Sequence, residues 1–94
     1  MEETKILTLH PHGKNGVNIS LRKYEQIRAF IIECITANGE LTYKELNQKA
    51  VKKLSKKFEG EVGWYVVTVK LDLEARGVIE RIPKTSPHKL RLKK

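Results

Sequence analysis

Gly63-Trp64-Tyr65-Val66-Val67-Thr68-Val69-Lys70-Leu71-Asp72-Leu73-Glu74-Ala75-Arg76-Gly77 is the segment on which the architecture of the chain turns. Its first half is rich in β-branched residues, which favour strand, whereas Lys70 to Arg76 favours helix. A strand running from Trp64 to Arg76 would be unusually long. Val62, Val66, Val69 and Leu73, by contrast, fall on one helical stripe, and Gly77 supplies a stop. The stretch therefore reads as a helix over 64–76. Trp64, Val67, Leu71 and Ala75 make a second stripe on nearly the opposite side, so the helix is apolar on two faces. The charges between the stripes, Lys70, Asp72, Glu74 and Arg76, cancel.

Working upstream, Thr42 with Glu45 three residues on is a capping box, and Leu46, Ala50, Leu54 and Phe58 follow at intervals of four. This predicts a second helix whose other faces carry lysines. Before it, Ser20 as N-cap and Tyr24, Ile27, Ile31 and Ile35 at helical spacing, with Phe30 and Cys34 beside them, predict a first helix over about 21–37 that Asn38-Gly39 closes. Ile6 to Leu9 reads as a strand, and His10 to Gly16 as a turn-rich loop. Downstream, Val78 to Ile82 and His88 to Leu92 flank Pro83-Lys84-Thr85-Ser86-Pro87, the pattern of a hairpin. The chain of 94 residues is expected to be one domain over 1–94, with strand and loop in 1–19, three helices in 20–77, and a hairpin and basic tail in 78–94.

Charge narrows the function. The net charge is +8, and basic residues are concentrated in two blocks. Residues 41–60 carry six lysines against Glu45 and Glu59, and residues 81–94 carry Arg81, Lys84, Lys89, Arg91, Lys93 and Lys94 with no acid. Such a surplus on a small domain favours a polyanionic partner. No run is long or apolar enough to span a membrane, one cysteine permits no internal disulfide, and the first twenty residues have no apolar signal core; a cytoplasmic location is expected.

Three helices followed by a hairpin is the order of a winged helix-turn-helix, an α+β fold. Gly63-Trp64-Tyr65, Thr68-Val69-Lys70-Leu71-Asp72-Leu73-Glu74-Ala75-Arg76-Gly77 and Ile79-Glu80-Arg81 resemble a small uncharacterised bacterial family thought to adopt that fold, and the likeness extends over nearly the whole chain. The resemblance implies that 64–76 is the recognition helix and 83–88 the wing tip. It implies no established activity, because winged helices include both DNA binders and protein-binding modules.

A helix built to read a major groove offers Arg, Lys, Asn or Gln to base edges. Here only Thr68, Lys70 and Arg76 are donors, so double-stranded DNA is expected to be held mainly by phosphate contacts with weak sequence selectivity. The expected contacts are Lys84, Thr85, Ser86, His88, Lys89 and Arg91 on the wing, Lys52, Lys53 and Lys56, with Lys49 and Lys57, on the second helix, and Thr68 and Lys70 on the third. Solvated lysines that serve only solubility are the competing explanation. The second apolar stripe, Trp64, Val67 and Leu71, has two readings: packing beneath the hairpin and N-terminal strand, or contact with another copy in a homodimer or with a protein partner.

Other motifs carry less. His10 and His12 with His88 lack a carboxylate or second cysteine at metal-ligand spacing. Gly13-Lys14-Asn15-Gly16 is a G-x-x-G that follows a strand rather than joining two helices, so it reads as a turn. Cys34 lies on the apolar side of its helix with no base indicated beside it. No cofactor, metal, small-molecule substrate or enzymatic activity is expected.

Overall fold

The computed structural model describes residues 4–10, 13, 16–56, 58, 60–84 and 88–93. The elements run β1 (Lys5–Leu7), β2 (Asn18–Ser20), α1 (Leu21–Asn38), β3 (Leu41–Thr42), α2 (Tyr43–Leu54), α3 (Val62–Ala75), β4 (Ile79–Arg81) and β5 (Lys89–Leu92). The architecture is α+β, with three helices and two small antiparallel sheets. β1 pairs with β2, and β5 lies between β3 and β4. In the second sheet Leu41 faces Leu90, and Glu80 faces Arg91.

Four of the helix boundaries have a local cause. The Ser20 hydroxyl accepts from the Lys23 amide at the start of α1, and Gly39, at a φ of 79°, closes it by donating to the Ile35 carbonyl. At α2 both halves of the Thr42–Glu45 capping box are present. The end of α3 is a Schellman motif: Gly77, at a φ of 76°, donates to the Glu74 carbonyl and Val78 donates to that of Leu73. These four signals are all local, and all four positions were expected from sequence.

The core gathers Ile27, Ile31 and Ile35 of α1, Leu46, Ala50 and Leu54 of α2, and Val62, Val66, Val69 and Leu73 of α3. Ile79 and Leu90 close it from the sheet. In α3 the helical stripe prevails over the β-branched composition, because all four of its residues are buried together. The strand expected at Ile6 to Leu9 is shifted to Lys5–Leu7, and two strands, β2 and β3, were not foreseen. β2 occupies the approach to α1 that reads as loop in isolation. Beyond β1, the buried Thr8 continues the pairing: its amide and hydroxyl donate to the Val17 carbonyl, and the hydroxyl accepts from the Val17 amide at 3.0 Å.

Candidate nucleic-acid interface

α2 turns its Leu46, Ala50 and Leu54 side inward, which leaves Lys49, Lys52 and Lys53 within an arc of roughly 100° at 3.6 residues per turn, with Lys56 in the turn that follows the helix. All four are exposed, and among the described residues none forms an ion pair with a carboxylate. Lys53 bridges to α1, its Nζ standing 5.7 Å from the centre of the Phe30 ring. The same neighbourhood contains Cys34, whose thiol burial pushes up, against the opposing pull of Lys49 and Lys53. A thiol held in that direction is a poor nucleophile at neutral pH.

The third helix and the hairpin tell a different story. Lys70, expected among the DNA contacts, is buried: its Nζ is 3.5 Å from Glu74 Oε2 and 5.6 Å from the centre of the Tyr43 ring. Burial pulls its pKa down, and Glu74 works against that shift. Lys70 therefore does not reach a ligand on the surface. Its partner Glu74 also receives Arg81 Nε at 2.8 Å. Arg76 donates from Nε to both oxygens of Asp72 at 2.9 Å. On the hairpin, Lys89 sits 3.2 Å from Glu40 and Arg91 2.7 Å from its cross-strand neighbour Glu80. Lys84 is exposed in a left-handed turn with φ 64°, and His88 is exposed. Thr85 and Ser86 of the expected wing tip, with His12, Lys14, Asn15, Lys57 and Lys94, lie outside the described residues.

The second stripe of α3 is only partly covered. Trp64 is 45 % exposed, and Val67 and Leu71 are half-buried. Trp64, Thr68 and Leu71 form the floor of a cleft of about 140 Å³ whose walls are Thr8, Leu9, His10, Gly16 and Val17. Among the described residues, the N-terminal segment thus flanks this face and leaves Trp64 largely exposed. The side chain holding that segment is Asp72, which accepts from the Leu9 amide at 2.8 Å and from the Tyr24 hydroxyl.

Sequence reading missed how thoroughly carboxylates neutralise the basic residues that follow α2. The pairs Lys70–Glu74 and Asp72–Arg76 stand at the i,i+4 spacing and were legible. Glu40–Lys89 joins residues far apart in the chain and needs the sheet register. Among the described residues no group of three or more His, Cys, Asp or Glu is gathered to hold a metal, and no helix is long and apolar enough to cross a membrane.

These features define a small α+β protein with one cationic helix face and one apolar helix face. The chain belongs to a family of unknown function (DUF6958), which it matches over residues 5–90. No curated protein and no solved structure matches it.

Proposed function

We propose that the chain is a winged helix-turn-helix protein that binds double-stranded DNA, mainly through phosphate contacts and with weak sequence selectivity. The observation that carries this reading is the exposed cluster of Lys49, Lys52 and Lys53 on α2 and Lys56 in the turn after it. Helix, short strand, helix, helix and hairpin, with the last strand between the other two, is an arrangement consistent with a winged helix. α3 contributes little to base reading, because Lys70 is buried and its exposed side is apolar. Lys84 adds a cation on the wing, and His88 is exposed there as a further hydrogen-bonding side chain. Lys89 and Arg91 join less strongly, since a phosphate must first displace their carboxylate partners; exposed ion pairs are worth at most about 1 kcal/mol, so that exchange is within reach.

The test is fluorescence anisotropy of a labelled random-sequence duplex at about 50 and about 200 mM salt, a range over which phosphate neutralisation forces a steep loss of affinity. Micromolar binding that collapses with salt is expected. Replacing Lys49, Lys52, Lys53 and Lys56 together by Gln should flatten the log–log salt dependence by roughly 3–4, close to one unit per lost phosphate contact. No binding at the lower salt, or an unchanged slope in the quadruple variant, overturns the reading.

A further inference from the structure

We propose that the exposed face of α3 is the contact between two copies of this chain, packed antiparallel across a two-fold axis. Among the described residues the face is apolar and open. Trp64, Leu9 and Val17, at 45 %, 43 % and 41 % exposure, surround one cleft with Leu71 on its floor, so exposed apolar side chains from two parts of the chain form a single patch. Scattered exposed apolar residues need no partner; a continuous patch does.

Three features favour a second copy, in this orientation. The first is shape. The stripe is bulky at the N-terminal end, at Trp64, and small at the C-terminal end, at Ala75. An antiparallel pairing sets each indole at the level of the other copy's Leu71 and Ala75, large against small, whereas a parallel pairing sets indole against indole. The second is charge. Glu61 and Arg76 are both exposed, one beyond each end of the stripe and on the same flank of the helix wheel, and Arg76, whose Nε is held by Asp72 and whose Nη2 is 3.5 Å from the Leu7 carbonyl, keeps Nη1, among the described residues, for a second carboxylate. About 15 residues at 1.5 Å each separate them, so an antiparallel two-fold brings Glu61 of each copy level with Arg76 of the other, and it also opposes the two helix dipoles. The third is the field of the molecule. Each copy carries +8, which opposes self-association on any face, but no charged side chain lies within this stripe, so the contact itself buries no like-charge pair and is the face where the opposition is least. An acidic partner would be drawn to the lysines of α2 instead.

This contact uses none of the α2 lysines, and salt separates the two proposals. Screening the repulsion between copies tightens self-association, while it loosens duplex binding.

Sedimentation velocity of the full chain from low micromolar to submillimolar concentration, at low and at high salt, should show a monomer–dimer equilibrium that shifts toward dimer with salt. Trp64→Ala should weaken it roughly thirtyfold, as expected for loss of a buried aromatic anchor, and Leu71→Glu should abolish it. Circular dichroism establishes that each variant is folded; should Leu71→Glu unfold, the exposed Trp64 site decides. With Cys34→Ser in place, Thr68→Cys, near the two-fold axis, should form a disulfide-linked dimer on oxidation and Gln48→Cys on α2 should not. A monomer at every concentration and salt overturns the proposal, as does a dimer undiminished in folded Trp64→Ala. A dimer that Thr68→Cys fails to link overturns the antiparallel arrangement.

Discussion

The hydroxyl of Tyr24, at the start of α1, donates to the carboxylate of Asp72, near the end of α3, although 48 residues separate them in the chain. Asp72 is fully buried and also accepts from the Leu9 amide and from Arg76 Nε. One carboxylate therefore joins the N-terminal segment, α1 and α3. A charge taken wholly out of water is tolerable only when its lone pairs are met, and here three donors from different parts of the fold meet them. Asp72→Ala leaves all three donors without that acceptor and should cost about 3–5 kcal/mol in urea unfolding. Tyr24→Phe removes one charged hydrogen bond and should cost about 1.5–3 kcal/mol.

The same pair predicts a dependence on alkaline pH. Burial, then the hydrogen bond to Asp72 and its negative charge, push the Tyr24 phenol up to about 12. A folded-state pKa above the ordinary value near 10 means that the folded chain keeps this proton when the unfolded chain has released it. The stabilisation is fully present below pH about 10 and is lost as the pH rises through about 12. Tyr43, pushed up by burial, acts in the same direction, and Lys70, pulled down by burial, acts in the opposite one. Tyr24→Phe isolates the contribution: the stability gap between the native chain and this variant should shrink by roughly 2 kcal/mol between pH about 10 and about 12.

Glu74 presents a second buried charge cluster. Its side chain is 7 % exposed and that of Lys70 is 9 % exposed, so Glu74→Gln leaves the Lys70 ammonium in the interior without its counter-charge. A loss of about 3 kcal/mol in chemical unfolding is expected. Replacing both, Lys70→Met with Glu74→Leu, removes both charges and should recover most of it, since Arg81, the remaining partner, is 44 % exposed and can turn to water. Strict additivity of the two single changes would contradict the pairing.

Two glycines are required for different reasons, and alanine separates them. At Gly16 an added Cβ would lie 1.6 Å from the Thr8 carbonyl oxygen, which is backbone and cannot rotate aside. Gly16→Ala should force β1 and β2 apart, cost about 2–3 kcal/mol, and speed hydrogen exchange at Val17. At Gly77 the nearest atom is the Lys93 Cδ, 4.0 Å away, so Gly77→Ala makes only an ordinary van der Waals contact and pays the strain of its left-handed backbone, about 1–2 kcal/mol, with β1 and β2 undisturbed.

The helices were legible because their signals lie within a few residues: the stripe Val62, Val66, Val69 and Leu73, the Thr42–Glu45 box, and Gly39 and Gly77 at helix ends. β2 and β3 were not, since Asn18–Ser20 reads as the lead-in to α1 and becomes a strand only through its pairing with β1, and Leu41 and Thr42 become one only because β5 arrives beside them. The candidate site divides in the same way. The lysine face of α2 follows from helical spacing alone. Lys70 looks like a surface donor until α2 covers it with Tyr43, and Lys89 looks free until Glu40 is brought alongside it.

The position of β5 has a consequence for biosynthesis. It is the last of its three strands to leave the ribosome, yet it is the one to which the other two bond. Until Lys89–Leu92 has been made, β3 and β4 have no partner, and the inner side of Ile79 and Leu41 lacks Leu90. During translation, then, the helices can collapse in order of synthesis, while the sheet closes in one late step.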